Sequence, residues 1–125
     1  MNKAYILVID GNDSDQFLAE RLIKKFDASI KVFKALTLQD ALTLLGTGLR
    51  PGLIFLDAAM DRMDGYSFLD HYIEKQYDIP VFIVSSFNDF LTGPQKQEYL
   101  KHDCVKGFYD KPLHSALVQE IFGTV

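Results

Sequence analysis

Short uninterrupted apolar runs alternate along the chain with longer stretches in which apolar residues recur at helical spacing. Tyr5-Ile6-Leu7-Val8-Ile9 has no polar alternation, the pattern of a strand buried on both faces. It gives way to Asp10-Gly11-Asn12-Asp13, a loop cluster. From Phe17 to Phe26 the apolar positions Phe17, Leu18, Leu22, Ile23 and Phe26 fit one face of a helix, with charges between them. Ile30-Lys31-Val32-Phe33 reads as a second strand. Thr37, with Asp40 three residues on, resembles a capping box with Asp in the place of Glu. The helix it opens turns Ala41, Leu42, Leu44 and Leu45 inward and is stopped by Gly46 and Gly48.

The alternation continues through the second half. Leu53-Ile54-Phe55-Leu56 is a third strand ending at Asp57, and a loop runs on through Gly65. Tyr66 to Tyr77 has helical period, with Phe68, Leu69, Tyr72 and Ile73 inward. Pro80 precedes a fourth strand, Val81-Phe82-Ile83-Val84, which ends at Ser85-Ser86. The stretch from Phe87 is irregular up to Pro94, which suits the first turn of a further helix. Val105 to Tyr109 is a fifth strand ending at Lys111-Pro112, and Leu113 to Phe122 closes as a helix.

Five strand-then-helix units imply an α/β fold: a mainly parallel sheet with helices on both faces. The 125 residues fit one domain, expected to span 1–125, with no repeat, linker or low-complexity tract. A chain of this size buries roughly two thirds of its unfolded surface, so its core needs neither disulfides nor a structural metal. Cys104 is the only cysteine, and a fold independent of oxidation points to the cytoplasm. The first apolar run is too short for a membrane span or the core of a signal peptide. A net charge of −4 argues against direct nucleic-acid binding.

Ligands of such sheets bind beyond the carboxyl ends of the strands. Strand one delivers Asp10 there, strand three Asp57, strand four Ser85 and strand five Lys111. A carboxylate beside a divalent cation can attack a phosphoryl group. A lysine and a hydroxyl can then hold the phosphoryl oxygens. Each residue also has a plain structural use: Asp64-Gly65 suits a turn before a helix, Lys111 a solvated surface, Phe108 a core. What sets them apart is their joint order. The acidic runs lack the spacing of an EF-hand loop, and His71, His102 and His114 form no zinc-type pair.

Four segments carry a resemblance: Ile6-Leu7-Val8-Ile9-Asp10, Leu56-Asp57 through Met60-Asp61-Arg62-Met63-Asp64-Gly65, Val84-Ser85-Ser86, and Asp110-Lys111-Pro112. Together they resemble the hallmark stretches of response-regulator receiver domains from two-component systems, most of all the single-domain chemotaxis type. The resemblance runs the length of the chain. It implies a doubly wound, flavodoxin-like three-layer sandwich with strand order 2-1-3-4-5 and five helices. It also makes Asp57 the phosphoacceptor and Lys111 the phosphoryl partner. Ser85 becomes the hydroxyl that closes on the phosphoryl group, and Phe108 the aromatic whose rotamer follows. Mg²⁺ is then expected on Asp10, Asp57 and the backbone carbonyl of Ala59.

The expected partners are a histidine kinase or phosphotransfer protein and a downstream protein. The latter would bind the face built from the fourth helix, fifth strand and fifth helix. Self-pairing is left open. In one respect the sequence departs from the family: its second acidic residue after strand one is here Gly11. Asp13 and Asp61 are the candidates to supply the missing charge. Gly11 also supports an alternative, a pseudo-receiver that binds partners constitutively without phosphorylation. Ala59 and Phe87, both apolar, would flank the water path to the acyl phosphate and imply slow self-hydrolysis. An aspartate-based phosphatase would need a second Asp at position 59, so that activity is set aside.

Overall fold

The structure is a computed structural model in which residues 5–57, 77–85 and 101–124 are described. Five strands, β1 (Tyr5–Ile9), β2 (Lys31–Ala35), β3 (Leu53–Leu56), β4 (Val81–Ser85) and β5 (Val105–Asp110), form one sheet in the order β2-β1-β3-β4-β5. Every neighbouring pair is parallel. Burial follows position in the sheet. The inner strand β3 is buried throughout and β1 nearly so, whereas the edge strands β2 and β5 keep exposed residues along their length. The topology expected from the resemblance is therefore present.

Side-chain alternation along the inner strands feeds two separate cores. Leu7, Ile9, Ile54, Leu56, Val81 and Ile83 point to one face and pack beneath α2 (Leu38–Gly46) through its Leu38, Ala41 and Leu45. Ile6, Val8, Leu53, Phe55, Phe82 and Val84 point to the other face. There they meet Ala19 and Ile23 of α1 (Asp13–Phe26) and Val118, Ile121 and Phe122 of α3 (Ser115–Thr124). These are the three layers, with described helices on both sides of the sheet. The expected helices over 66–77 and after Pro94 fall almost wholly outside the described residues.

The helix starts are set by side-chain caps. Thr37 Oγ1 accepts the Asp40 N–H at 2.9 Å, as the sequence suggested. Beyond Gly46 the chain leaves α2 through Gly48 at φ 98°, a left-handed conformation that favours glycine. Replacing Thr37 with alanine should lower stability by about 1 kcal/mol, read from urea unfolding, with no change in the sheet.

Helix α1 starts earlier than apolar spacing indicates. Asn12 Oδ1 accepts the Asp15 N–H at 2.9 Å and caps it, with Asp13 and Asp15 in the first turn. Those residues are polar, so hydrophobic period is blind to this turn. Phe17, expected on the inner face, is instead 60% exposed, and the Arg21 guanidinium lies 6.0 Å from its ring centre. Phe26 is half-exposed but meets Phe122 edge-on, with ring centres 4.6 Å apart.

Candidate functional site at the carboxyl ends of the strands

The strand ends that carry polar residues converge as the parallel topology requires. Asp10 follows β1 and donates its N–H to Ala35 O, the last residue of β2. Asp57 follows β3 and donates its N–H to Ile9 O. Lys111 follows β5, with a cis peptide bond to Pro112. Residues 54 sequence positions apart in one pair and 101 in the other thus meet at a single ammonium.

Lys111 Nζ lies 2.7 Å from Asp10 Oδ2, 2.8 Å from Asp15 Oδ2 and 3.1 Å from Asp57 Oδ2. An ammonium has three protons to donate, and here each has its own carboxylate. The surroundings are graded in depth. The side chains of Asp10, Asp57 and Lys111 are 8%, 12% and 14% exposed, whereas that of Asp15 is 38% exposed. The four line a cleft with Leu18, Pro112 and Leu113.

Burial opposes the charge on Lys111, but hydrogen bonds to Asp10 and Asp15 and the fields of Asp57 and Asp10 outweigh it. The ammonium therefore titrates above the ordinary lysine value. Burial also dominates at Asp10 and raises its carboxyl above the ordinary aspartate value. The Lys111 ammonium and the Asn12 N–H, 2.9 Å from Oδ1, oppose that rise without cancelling it. One ammonium leaves two of the three negative charges unbalanced.

The donor chemistry suits a hard divalent cation, since only carboxylate oxygens face the cleft from these acids. Among the described residues, no three carboxylate, imidazole or thiol side chains are arranged to hold a metal ion by themselves. Asp10 and Asp57 would hold it, with water and phosphoryl oxygens filling the remaining positions, the usual manner for Mg²⁺.

Two residues here escaped sequence inspection. Asp15, on the first turn of α1, is the extra acid brought to Lys111, whereas Asp13, proposed from sequence, is exposed on the same turn. The Asn12 cap and helical geometry were the available signal, because they fix which side of the turn faces the sheet. Gln16 is 2% exposed, and its amide nitrogen donates to Val8 O, Asp10 O and Ala35 O, each at 3.0 Å. It ties the ends of β1 and β2 around Asp10, while its own buried Oε1 meets no hydrogen-bond partner among the described residues.

Of the other sequence candidates, Ser85 is the last residue of β4, in register with Asp110. Phe108, in register with Ile83, packs half-buried against the core beneath α2. Ala59 and Asp61 lie outside the described residues, as do Phe87 and His71. His114 accepts the Leu117 N–H on Nδ1 at 3.3 Å near the start of α3, a capping role.

The fold and site together define a doubly wound parallel sheet with an acidic pocket and a lysine at its carboxyl edge. The family match is specific: the model of the response regulator receiver domain covers residues 6–122, and the chain belongs to that family. Receiver domains serve two-component signalling, generally bind Mg²⁺ at their acidic pocket and interact with histidine kinases or phosphotransfer proteins. They are typically signalling modules and not enzymes.

Solved structures agree on the fold. The chemotaxis protein CheY4 of Vibrio cholerae superposes with a TM-score of 0.81 at 21% identity, over 99% of both chains. The receiver domain of a LuxO-type repressor from Vibrio parahaemolyticus gives 0.83 at 19% identity, over 98% of this chain and 89% of that one. A two-component response regulator from Cytophaga hutchinsonii gives 0.80 at 20% identity, over 96% and 94%. No curated protein matches the sequence. Among the described residues no helix is long and apolar enough to cross a membrane.

Proposed function

We propose that this chain is a cytoplasmic phosphorylation switch whose phosphoacceptor is Asp57. The observation that carries the proposal is the Lys111 ammonium 3.1 Å from Asp57 and 2.7 Å from Asp10 at the carboxyl edge of the sheet. A phosphohistidine on a histidine kinase or phosphotransfer protein is the donor. An Asp57 carboxylate oxygen attacks phosphorus in line, the P–N bond breaks, and an acyl phosphate forms. Mg²⁺, on Asp10, Asp57 and the Ala59 carbonyl, supplies charge neutralisation at the phosphoryl oxygens when bound.

The residues of the chain do the rest. Lys111 holds a phosphoryl oxygen once the Asp57 carboxylate is phosphorylated, and Ser85 holds a second. Phe108 follows Ser85, and the face formed by the segment after β4, β5 and α3 changes its affinity for a protein partner. A pseudo-receiver with constitutive binding is the second reading, favoured by Gly11 alone. Retention of Asp57, Ser85 and Lys111 counts against it, since a scaffold needs none of them.

Intact-protein mass after incubation with a small phosphodonor separates the two. A metal-dependent gain of one phosphoryl group, absent from Asp57→Asn, is expected. No gain in folded protein at high Mg²⁺ would refute the switch and support the constitutive binder.

A further inference from the structure

We propose that Asp15 is a positioning residue that stands in for the acid missing at position 11. It completes the charge of the pocket and holds the Lys111 ammonium at the outer side. The inference rests on the phosphorylation-switch reading and adds a residue to it.

In the loop after β1, Asp10 is followed by Gly11, a residue with no side chain. One helical turn on, the Asn12 cap starts α1 and turns Asp15 back over the strand ends, where its carboxylate meets Lys111 at 2.8 Å. Of the three acids on that ammonium, Asp15 is the most exposed. The Lys111 ammonium is thus drawn both inward, to Asp10 and Asp57, and outward, to Asp15.

Without Asp15 two effects act in the same direction. The pocket loses one of its two unbalanced negative charges, and the ammonium keeps only its inner partners, where it competes with a cation for the same oxygens. Both weaken the hold on a divalent ion. Among the described residues the glycine with a positive φ is Gly48, so the backbone at position 11 does not itself exclude an aspartate.

The test is Mg²⁺ titration of the unphosphorylated chain, followed by amide NMR, for wild type, Asp15→Asn, Asp15→Glu, Gly11→Asp and the Gly11→Asp/Asp15→Asn pair. Circular dichroism confirms that each variant is folded. Asp15→Asn should weaken Mg²⁺ binding roughly tenfold, the size expected for removing one charge near a divalent ion in a partly solvated site. Asp15→Glu should retain most of the affinity. In the Gly11→Asp background, Asp15→Asn should cost about twofold or less, a non-additivity that marks two acids serving one purpose.

An Asp15→Asn affinity within twofold of wild type overturns the proposal. So does an equal tenfold loss in the Gly11→Asp background, or a wild-type chain that gives no Mg²⁺ response. Because the titration involves no phosphoryl transfer, the outcomes separate. A chain with Asp15-dependent metal binding that accepts no phosphoryl group refutes the switch alone. A chain that is phosphorylated and binds metal regardless of Asp15 refutes this inference alone.

Discussion

Replacing Lys111 with methionine is expected to lower the stability of the metal-free protein by about 2–4 kcal/mol at neutral pH, because it strands buried carboxylates without their counter-charge. Asp10 and Asp57, both nine-tenths buried or close to it, would then lose the ammonium they share with Asp15. The deficit should depend on pH in a definite direction. Asp10 already titrates above the ordinary aspartate value because of its burial, and loss of the ammonium raises it further.

A carboxyl raised by folding takes up its proton in the folded state before the unfolded state does. Stability therefore rises as pH falls towards the unfolded value, about 3.9. The gap between Lys111→Met and wild type should accordingly narrow from pH 7 to pH 5 in urea titrations. Millimolar Mg²⁺ at pH 7 should recover part of it by occupying the same acids. A gap that stays constant with pH and ignores Mg²⁺ would mean that Lys111 stabilises through packing alone.

Gln16→Leu carries the second large expected effect. The leucine nearly matches glutamine in size, so it removes the amide donor without opening much space. Val8 O, Asp10 O and Ala35 O all lose a bond from a residue that is 2% exposed. The amide has two protons for three carbonyls, Ala35 O keeps the Asp10 N–H and Val8 lies within the β1–β2 ladder, so the loss is less than three full bonds. A destabilisation of about 2–3 kcal/mol follows from leaving buried acceptors unpaired. Since Gln16 also fastens the backbone of Asp10, the variant should bind Mg²⁺ more weakly than wild type. A cost below about 0.5 kcal/mol, the size of an ordinary surface substitution, would show that these carbonyls are satisfied elsewhere.

Those two residues illustrate what the sequence makes legible. The strands were, because buried parallel strands are apolar without interruption: Tyr5–Ile9 and Leu53–Leu56 have the boundaries that their composition indicates. Asp10 and Asp57 were legible because each is the first polar residue past such a run, and Lys111 through the Asp110-Lys111-Pro112 segment that ends the last strand; parallel topology brings those ends together. Thr37 announced its helix through cap chemistry.

Gln16 and Asp15 were hidden for a shared reason. Both sit in a polar first turn, where hydrophobic period carries no signal, and their importance comes from partners distant in sequence. Asp15 meets Lys111 across 96 positions and Gln16 meets Ala35 across 19. The sequence offered Asp13 and passed over Asp15, two acids on one polar turn. Only the orientation of α1, fixed by the Asn12 cap, distinguishes the exposed one from the one that reaches the pocket. Phe17 shows the converse: an aromatic at helical spacing that lies outside the core, beside Arg21.

The most direct measurement reads residue 57 itself. The chain is incubated with a phosphodonor and Mg²⁺, reduced with borohydride, which converts an aspartyl phosphate to homoserine, and mapped by peptide mass spectrometry. A switch at Asp57 gives homoserine at position 57, dependent on Mg²⁺ and on the donor. An unmodified Asp57 in folded, metal-saturated protein, or homoserine only at another position, would contradict the account.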